Sequence, residues 1–178
     1  IEDLISYRLK NEKLVKLKKT DKIVIKNKKY QIKIFENQLD GSEHFALIKG
    51  KISPSKNTRV RVISSNLVES YLLGKRLPNS FNNTLDYFKD YNNCILVFIR
   101  DSNLKSVSST LRDFKSDKKN KIGTDKLIRN YGIGAQIIKA LRVKNMILVT
   151  RSPKKVIGLE GFGIRITKQE IIKWKKFV

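Results

Sequence analysis

Two glycines in the C-terminal third of the sequence, Gly132 and Gly134, stand one residue apart at the start of an apolar stretch. The spacing of that stretch predicts an amphipathic helix over about 132–142. A helix N-terminus offers unpaired backbone N–H groups and the positive end of the helix dipole, so a phosphate could bind there. Glycine also serves tight turns and close packing. On this stretch alone, phosphate binding and backbone geometry are both open.

The sequence has one cysteine, Cys94, and one histidine, His44. A single cysteine excludes an internal disulfide and gives no sign of an oxidising compartment. Cys94 opens an apolar run that predicts a buried strand, where a thiol is typical of a small core residue. His44 follows a polar turn at the start of another predicted strand, where a lone imidazole is more often structural than a metal ligand. Neither residue indicates a metal site.

The chain has 178 residues, of which 40% are hydrophobic and 31% charged, as expected of one globular domain. Its formal net charge of +23 raises the alternative of a nucleic-acid-binding module, since clustered Lys and Arg bind phosphate backbones. The lysines are spread along the chain, which favours solvated faces with non-specific binding to polyanions. The longest apolar run, 94–99, is too short to cross a membrane, and no signal peptide is visible. We expect a cytoplasmic protein.

Helix and strand patterns alternate along the chain. A short helix is predicted over 2–18, and alternating apolar residues on both sides of Lys28 predict a β-hairpin. A helix capped by Ser80 precedes the buried strand that starts at Cys94. Further strands are predicted at HFALIKGKI, TRVRVIS, NMILVT and the segment before the C-terminal tail. Together these patterns predict an α/β fold with a mixed β-sheet and helices on its faces.

Several of these segments are familiar in their order: FENQLDGSEHFALIKGKI, RVRVISSN and the block Arg129–Ile164. Together they resemble the GTP cyclohydrolase II family of riboflavin biosynthesis. The resemblance implies that family's three-layer architecture. The first residues, IEDLISYRLKNEKLVK, resemble the junction at which a 3,4-dihydroxy-2-butanone 4-phosphate synthase domain joins a cyclohydrolase domain.

The resemblance divides the sequence into three parts. These are a helical linker from an upstream domain over 1–20, a cyclohydrolase II-like domain over 21–172 and a basic tail over 173–178. It therefore implies the C-terminal half of a two-domain fusion. We expect the upstream butanone-phosphate synthase domain as a partner and a homodimer as the assembly.

The family's reaction, as the resemblance implies it, is zinc-assisted hydrolysis of GTP with release of formate and pyrophosphate. Bound zinc lowers the pKa of water to about 7. The family holds zinc with three cysteines, one ending an R-V-H-S-E-C pattern and two in a C-D-C segment. At the matching positions this sequence has Asn66, Pro78 and Ser80, none of which is a strong zinc ligand. We therefore predict that the chain has no zinc and no other cofactor.

The resemblance also implies two residues for chemistry at phosphorus. In the family an arginine acts as nucleophile toward the α-phosphorus, and an aspartate two residues earlier accepts a proton. Arg129 matches the arginine, but Leu127 stands where the aspartate would be, and leucine cannot exchange a proton. The family's triphosphate-binding segment survives only as Arg100.

The positions for the rest of the substrate are better kept. Arg61, Thr150 and Lys155 match family positions that contact substrate, which is consistent with weak binding of a guanine nucleotide. The alternative is that Thr150 is a β-branched residue at the end of a strand and Lys155 a surface lysine. In the family the phosphates are bound chiefly by the segment that this chain has lost. We therefore interpret Gly132 and Gly134 as backbone geometry that turns the chain into a closely packed helix.

The leading hypothesis is a pseudoenzyme: a cyclohydrolase II-like domain without cyclohydrolase activity, with a structural or regulatory role for a butanone-phosphate synthase domain. Two alternatives remain open. One is an active GTP cyclohydrolase II with a rebuilt or zinc-independent site. The other is a basic nucleic-acid-binding module.

Overall fold

The computed structural model describes residues 7, 11–65, 77–101, 107–108, 111, 124–154, 156 and 158–173, with the backbone alone for 77–79 and 124–130. Seven strands lie within these residues: β1 (Val15–Ile25), β2 (Lys28–Asn37), β3 (Glu43–Lys49), β4 (Thr58–Ser65), β5 (Cys94–Arg100), β6 (Asn145–Thr150) and β7 (Arg165–Ile171). Two long helices accompany them: α1 (Leu77–Tyr87) and α2 (Thr124–Ala140). No helix among the described residues is both long and apolar enough to cross a bilayer.

The strands form one sheet in the order β1-β2-β3-β5-β4-β6-β7. The pairs β1–β2, β2–β3 and β3–β5 are antiparallel. The pairs β5–β4, β4–β6 and β6–β7 are parallel. The predicted hairpin is confirmed, and its two-residue turn is Lys26–Asn27 with φ angles of 49° and 61°. A turn with positive φ at both positions matches the natural twist of paired strands. β1 is left as a long edge strand.

Helices cover both faces of the sheet. On one face, Ile133 and Ile137 of α2 pack in a cluster with Val60 and Val97 of the central strands. On the other face, Leu85 of α1 and the following Phe88 pack with further strand residues. The predicted mixed sheet with helices on its faces is therefore confirmed. β5 lies between both layers, which explains why its sequence is continuously apolar.

The helix predicted over 2–18 extends too far, because β1 already begins at Val15. From Val15 onward lysines alternate with Val15 and Leu17, a period of two that belongs to a strand. Leu14 and Val15 are buried in the core with 5% and 3% of their surface exposed. Residues 2–6 and 8–10 of the predicted helix lie outside the described residues. The predicted boundary between linker and domain at 20/21 falls inside β1.

The predicted cap at Ser80 is wrong, because α1 begins three residues earlier at Leu77. Ser80 lies in the first turn of the helix, and its carbonyl oxygen accepts a hydrogen bond from Thr84 Oγ1 at 2.8 Å. Leu85 and Phe88 nevertheless face inward as an amphipathic helix requires, since they are 2% and 1% exposed. The error therefore concerns the boundary of the helix and not the face that it buries.

Gly132 and Gly134 do not turn the chain into a helix, because both lie inside α2. Close packing is the part of the prediction that holds. A β-carbon on Gly134 would lie 3.3 Å from Ile99 Cδ1 and 3.6 Å from Val62 Cγ1. The missing side chain thus lets α2 lie directly on β4 and β5. The glycines are not at the helix N-terminus, where an anion would bind.

A charged cluster ties the C-terminal strand to the rest of the sheet. Arg59 of β4 donates to both carboxylate oxygens of Glu170 of β7, at 2.9 and 3.2 Å. The hydroxyl of Tyr87 donates to the same carboxylate, and the Arg59 guanidinium lies 3.6 Å from the centre of the Tyr91 ring. Burial raises the pKa of Glu170, but the hydrogen bonds from Arg59 and Tyr87 outweigh it and hold that pKa below 4.5. The cluster joins β7, β4 and the end of α1.

Replacing Gly50 with alanine should strongly destabilise the fold. Gly50 has a φ of +80°, and a methyl group on it would lie 1.5 Å from the carbonyl oxygen of Asn92. We expect a loss of about 3 kcal/mol or more in the free energy of unfolding, measured by urea denaturation. Gly41→Ala is the matched control, since φ there is +69° with no atom within 4 Å. It should lose only about 1 kcal/mol, and equal losses would contradict the steric argument.

Replacing Glu170 with glutamine should destabilise the fold in a pH-dependent way. The folded pKa lies below the unfolded value, so the charge contributes stability above about pH 4.5 and loses it as the pH falls. We expect Glu170→Gln to cost about 1–3 kcal/mol at pH 7, and the difference from wild type to shrink below pH 4.5 in urea titrations. Glu43→Gln, at a carboxylate whose side chain is 48% exposed, should change stability little. A pH-independent difference would contradict the role of the charge.

Candidate functional site

Three of the predicted site residues, Arg61, Ser80 and Thr150, lie near the carboxyl end of β6. Arg61 of β4 donates from Nη1 to the carbonyl oxygen of Val149 near the end of β6, at 3.1 Å. Its Nη2 donates to the Ser80 hydroxyl on α1 at 3.4 Å. The structure thus brings together Arg61, the end of β6 and one of the three predicted zinc-ligand positions. Carboxyl ends of parallel strands are where open α/β sheets commonly bind ligands.

Arg61 carries a positive charge that is poorly compensated. Within the described part of the chain it has no carboxylate partner, and its buried Nε has no hydrogen-bond partner. Burial lowers the pKa of Arg61, and the nearby charge of Arg151 lowers it further. A guanidinium remains charged at neutral pH. A partly buried cation next to a second cation favours binding of an anion at this point.

Thr150, the last residue of β6, supports the turn that follows. It is 2% exposed, and its Oγ1 donates to the carbonyl oxygen of Ser152 at 2.7 Å. Gln169 of β7 holds the same turn from outside, because its amide accepts from Lys154 N at 3.1 Å and donates to Lys154 O at 2.6 Å. Thr150 therefore supports this turn, and its predicted contact with substrate stays a prediction. Lys155 lies outside the described residues. Sequence reasoning missed Arg151 in this turn.

The residues at the three zinc-ligand positions do not suit zinc. Asn66 lies outside the described residues. Pro78 lies in α1, and proline offers no ligating side-chain atom. The Ser80 hydroxyl is already in contact with a guanidinium. Among the described residues, no three His, Cys, Asp or Glu side chains come together as a possible metal site.

Arg129 and Leu127 lie in α2, where the structure describes only their backbone. Their side chains are outside what the structure describes, so the nucleophile position and its lost proton acceptor stay predictions. Arg100 ends β5, and its backbone N–H donates to His44. The helix that carries Arg129 is held on the sheet by its C-terminal half, where Ile137 is 0% exposed.

His44 belongs to a polar network that the sequence pattern did not predict. Its Nδ1 accepts the backbone N–H of Arg100 at 3.1 Å, so Nε2 carries the proton and donates to Ser42 Oγ at 3.2 Å. Ser42 in turn donates to Asp40 Oδ1 at 2.5 Å. Burial lowers the pKa of His44, so the ring is neutral at pH 7. Because the serine proton points to Asp40, the imidazole cannot act as its base.

Cys94 is equally unsuited to chemistry. It is 0% exposed at the start of β5. Burial raises the pKa of its thiol to about 11, so the thiolate that would bind a metal or attack a substrate does not form at neutral pH. Both His44 and Cys94 therefore serve the fold.

The comparisons with known proteins agree with this architecture. A solved structure with a TM-score of 0.63 is the "Crystal structure of RibBX, a two domain 3,4-dihydroxy-2-butanone 4-phosphate synthase from A. baumannii". It is 23% identical, and the match covers 98% of this chain and 44% of that one. At this identity it supports the fold.

Two curated relatives have names from riboflavin biosynthesis. A probable monofunctional riboflavin biosynthesis protein RIBA 3 of Oryza sativa subsp. japonica is 31% identical over 93% of this chain and 33% of its own length. A riboflavin biosynthesis protein RibBA of Chlorobium phaeovibrioides is 28% identical over 95% of this chain and 44% of its own length. The chain thus spans less than half the length of these relatives. The family model for GTP cyclohydrolase II matches residues 17–170. The chain therefore belongs to the GTP cyclohydrolase II family.

Proposed function

We propose that this chain is a GTP cyclohydrolase II-like domain without cyclohydrolase activity. Its role is structural or regulatory, and its partner is an upstream 3,4-dihydroxy-2-butanone 4-phosphate synthase domain. The observation that carries the proposal is the pairing of Ser80 with Arg61: a hydroxyl and a guanidinium meet where the family places a zinc ligand. The sequence nevertheless matches the family model over residues 17–170.

The chemistry that is lost concerns water and protons. Hydrolysis of the guanine ring requires a water made nucleophilic by a Lewis acid. The residues Asn66, Pro78 and Ser80 supply no thiolate or imidazole for such an ion. Leu127 supplies no proton acceptor near Arg129. Loss of both functions leaves a scaffold that can bind and hold but not hydrolyse.

The upstream partner is supported by the lengths and names of the relatives. The RibBX structure is described as a two-domain butanone-phosphate synthase, and this chain matches 44% of it. The RibBA relative likewise extends well beyond the region that this chain matches. A second domain joined to this one would fit both comparisons. A homodimer of the fused protein is part of the same proposal.

The domain retains weak binding of a guanine nucleotide. Arg61 and Arg151 supply positive charge without a carboxylate partner for Arg61 among the described residues. Thr150 fixes the turn that places Arg151 next to this charge. The anionic part of a nucleotide compensates Arg61, which makes this site the natural place for a regulatory ligand.

Zinc content and formate release test the loss of activity directly. We expect the purified chain, after incubation with zinc and desalting, to contain far less than one zinc per chain by elemental analysis. With GTP and added zinc it should release no formate. A zinc-binding member of the family assayed in parallel serves as the positive control. Stoichiometric zinc together with turnover would show that the domain is an active enzyme with a rebuilt site.

Replacing Arg61 with methionine tests the retained nucleotide binding. We expect the affinity for GTP, measured by isothermal titration, to fall by about tenfold or more because the compensating charge is removed. Arg165→Met removes the same charge from an exposed position on β7 and is the matched control. If both variants lose affinity equally, the binding reflects only the overall positive charge of the chain. If the affinity falls steeply with salt concentration but is the same in wild type and Arg61→Met, a polyanion-binding module is favoured instead.

A further inference from the structure

A buried glutamine of α2 fixes the chain segment that precedes the sheet. Gln136 is 7% exposed, and its Oε1 accepts hydrogen bonds from the backbone N–H groups of Leu14 and Val15, at 2.8 and 3.2 Å. Its Nε2 donates to the carbonyl oxygen of Glu12 at 2.9 Å. One side chain thus binds three backbone groups that are more than 120 residues away in sequence.

The same short segment is held by two other kinds of contact. The side chains of Leu14 and Val15 are buried in the cluster that includes α2. The carbonyl oxygen of Leu14 accepts the N–H of Gln38 at 2.7 Å, which anchors it to the end of β2. A buried amide that meets backbone donors and an acceptor is costly to remove, because those groups would lose their partners away from water.

We infer that Gln136 makes residues 12–15 a rigid joint through which α2 sets the orientation of the upstream domain. The inference rests on the proposed function, which places a butanone-phosphate synthase domain before this segment. The joint would determine how the upstream domain is connected to this one. The path of the chain is set by hydrogen bonds from the helix that also carries the Arg129 position, about two turns earlier.

Such a joint gives the domain a route to its regulatory role. A flexible linker lets two domains move independently, whereas a fixed segment couples the orientation of one domain to that of the other. Here the helix that orients the upstream segment packs through Gly134 onto β4, the strand of Arg61. The segment at Leu14 and Val15 and the strand of Arg61 therefore both contact α2.

The experiment uses the full-length protein with its upstream domain. One nitroxide label is placed on the upstream domain and one on Lys144→Cys, an exposed position after α2. The native Cys94 is 0% exposed and does not take label in the folded protein. Distances between the labels are measured by pulsed electron resonance for wild type, Gln136→Leu and the matched control Gln169→Leu, which removes the amide that holds the exposed turn at Lys154.

We expect a narrow distance distribution for wild type and Gln169→Leu, and a distribution at least about twice as wide for Gln136→Leu. Amide exchange at Leu14 and Val15 should be at least about tenfold faster in Gln136→Leu. If Gln136→Leu does not fold, Gln136→Glu is measured, which keeps the acceptor for both N–H groups and loses the donor to Glu12. An unchanged narrow distribution with faster exchange would overturn the joint and leave the proposed function intact. A broad distribution already in wild type would overturn it too, and a full-length protein without a synthase domain would overturn the proposed function and the joint together.

Discussion

Burial of β5 on both faces is the constraint on which the rest of the structure depends. Its residues Cys94 to Val97 are all 0% exposed, with α2 on one side and α1 on the other. Both helices must therefore present apolar faces and come close to the sheet. On one side, the absence of a side chain at Gly134 allows α2 to approach the sheet closely. The candidate site forms where α1 meets the end of β6, so its geometry depends on the packing of α1 on the sheet.

The sheet could be predicted from the sequence because burial of one face makes apolar residues recur at every second position of a strand. Alternating apolar residues predict the hairpin, and the uninterrupted apolar run from Cys94 predicts a central strand. Boundaries were predicted less well: Val15 and Ser80 each lie in an element that starts earlier than the local pattern suggested. The position of Gly134 inside α2 could not be predicted, because glycine is locally unfavourable in a helix and only the packing against Ile99 and Val62 explains it.

The site was predictable only where a resemblance supplied the positions. Arg61 and Thr150 do lie beside the same strand ends, but their actual partners, Val149 and Ser152, are backbone carbonyl groups that no sequence pattern marks. Networks such as Asp40, Ser42 and His44, or the three bonds of Gln136, join residues whose neighbours are set by tertiary packing. Such contacts leave no period in the sequence, which is why they appeared only in three dimensions.

β1 lies at the edge of the sheet, where its lysines have an effect that does not involve nucleic acids. An eleven-residue edge strand offers a row of backbone groups on which another chain could pair and begin a fibril. Lys16, Lys18, Lys19 and Lys22 lie along it with a single carboxylate, Asp21, although Lys18 and Lys19 form ion pairs. Two such strands brought together would each carry excess positive charge and repel each other. Much of the excess charge at this end of the molecule thus guards against self-association through the strand, which allows a long exposed hairpin to persist in solution.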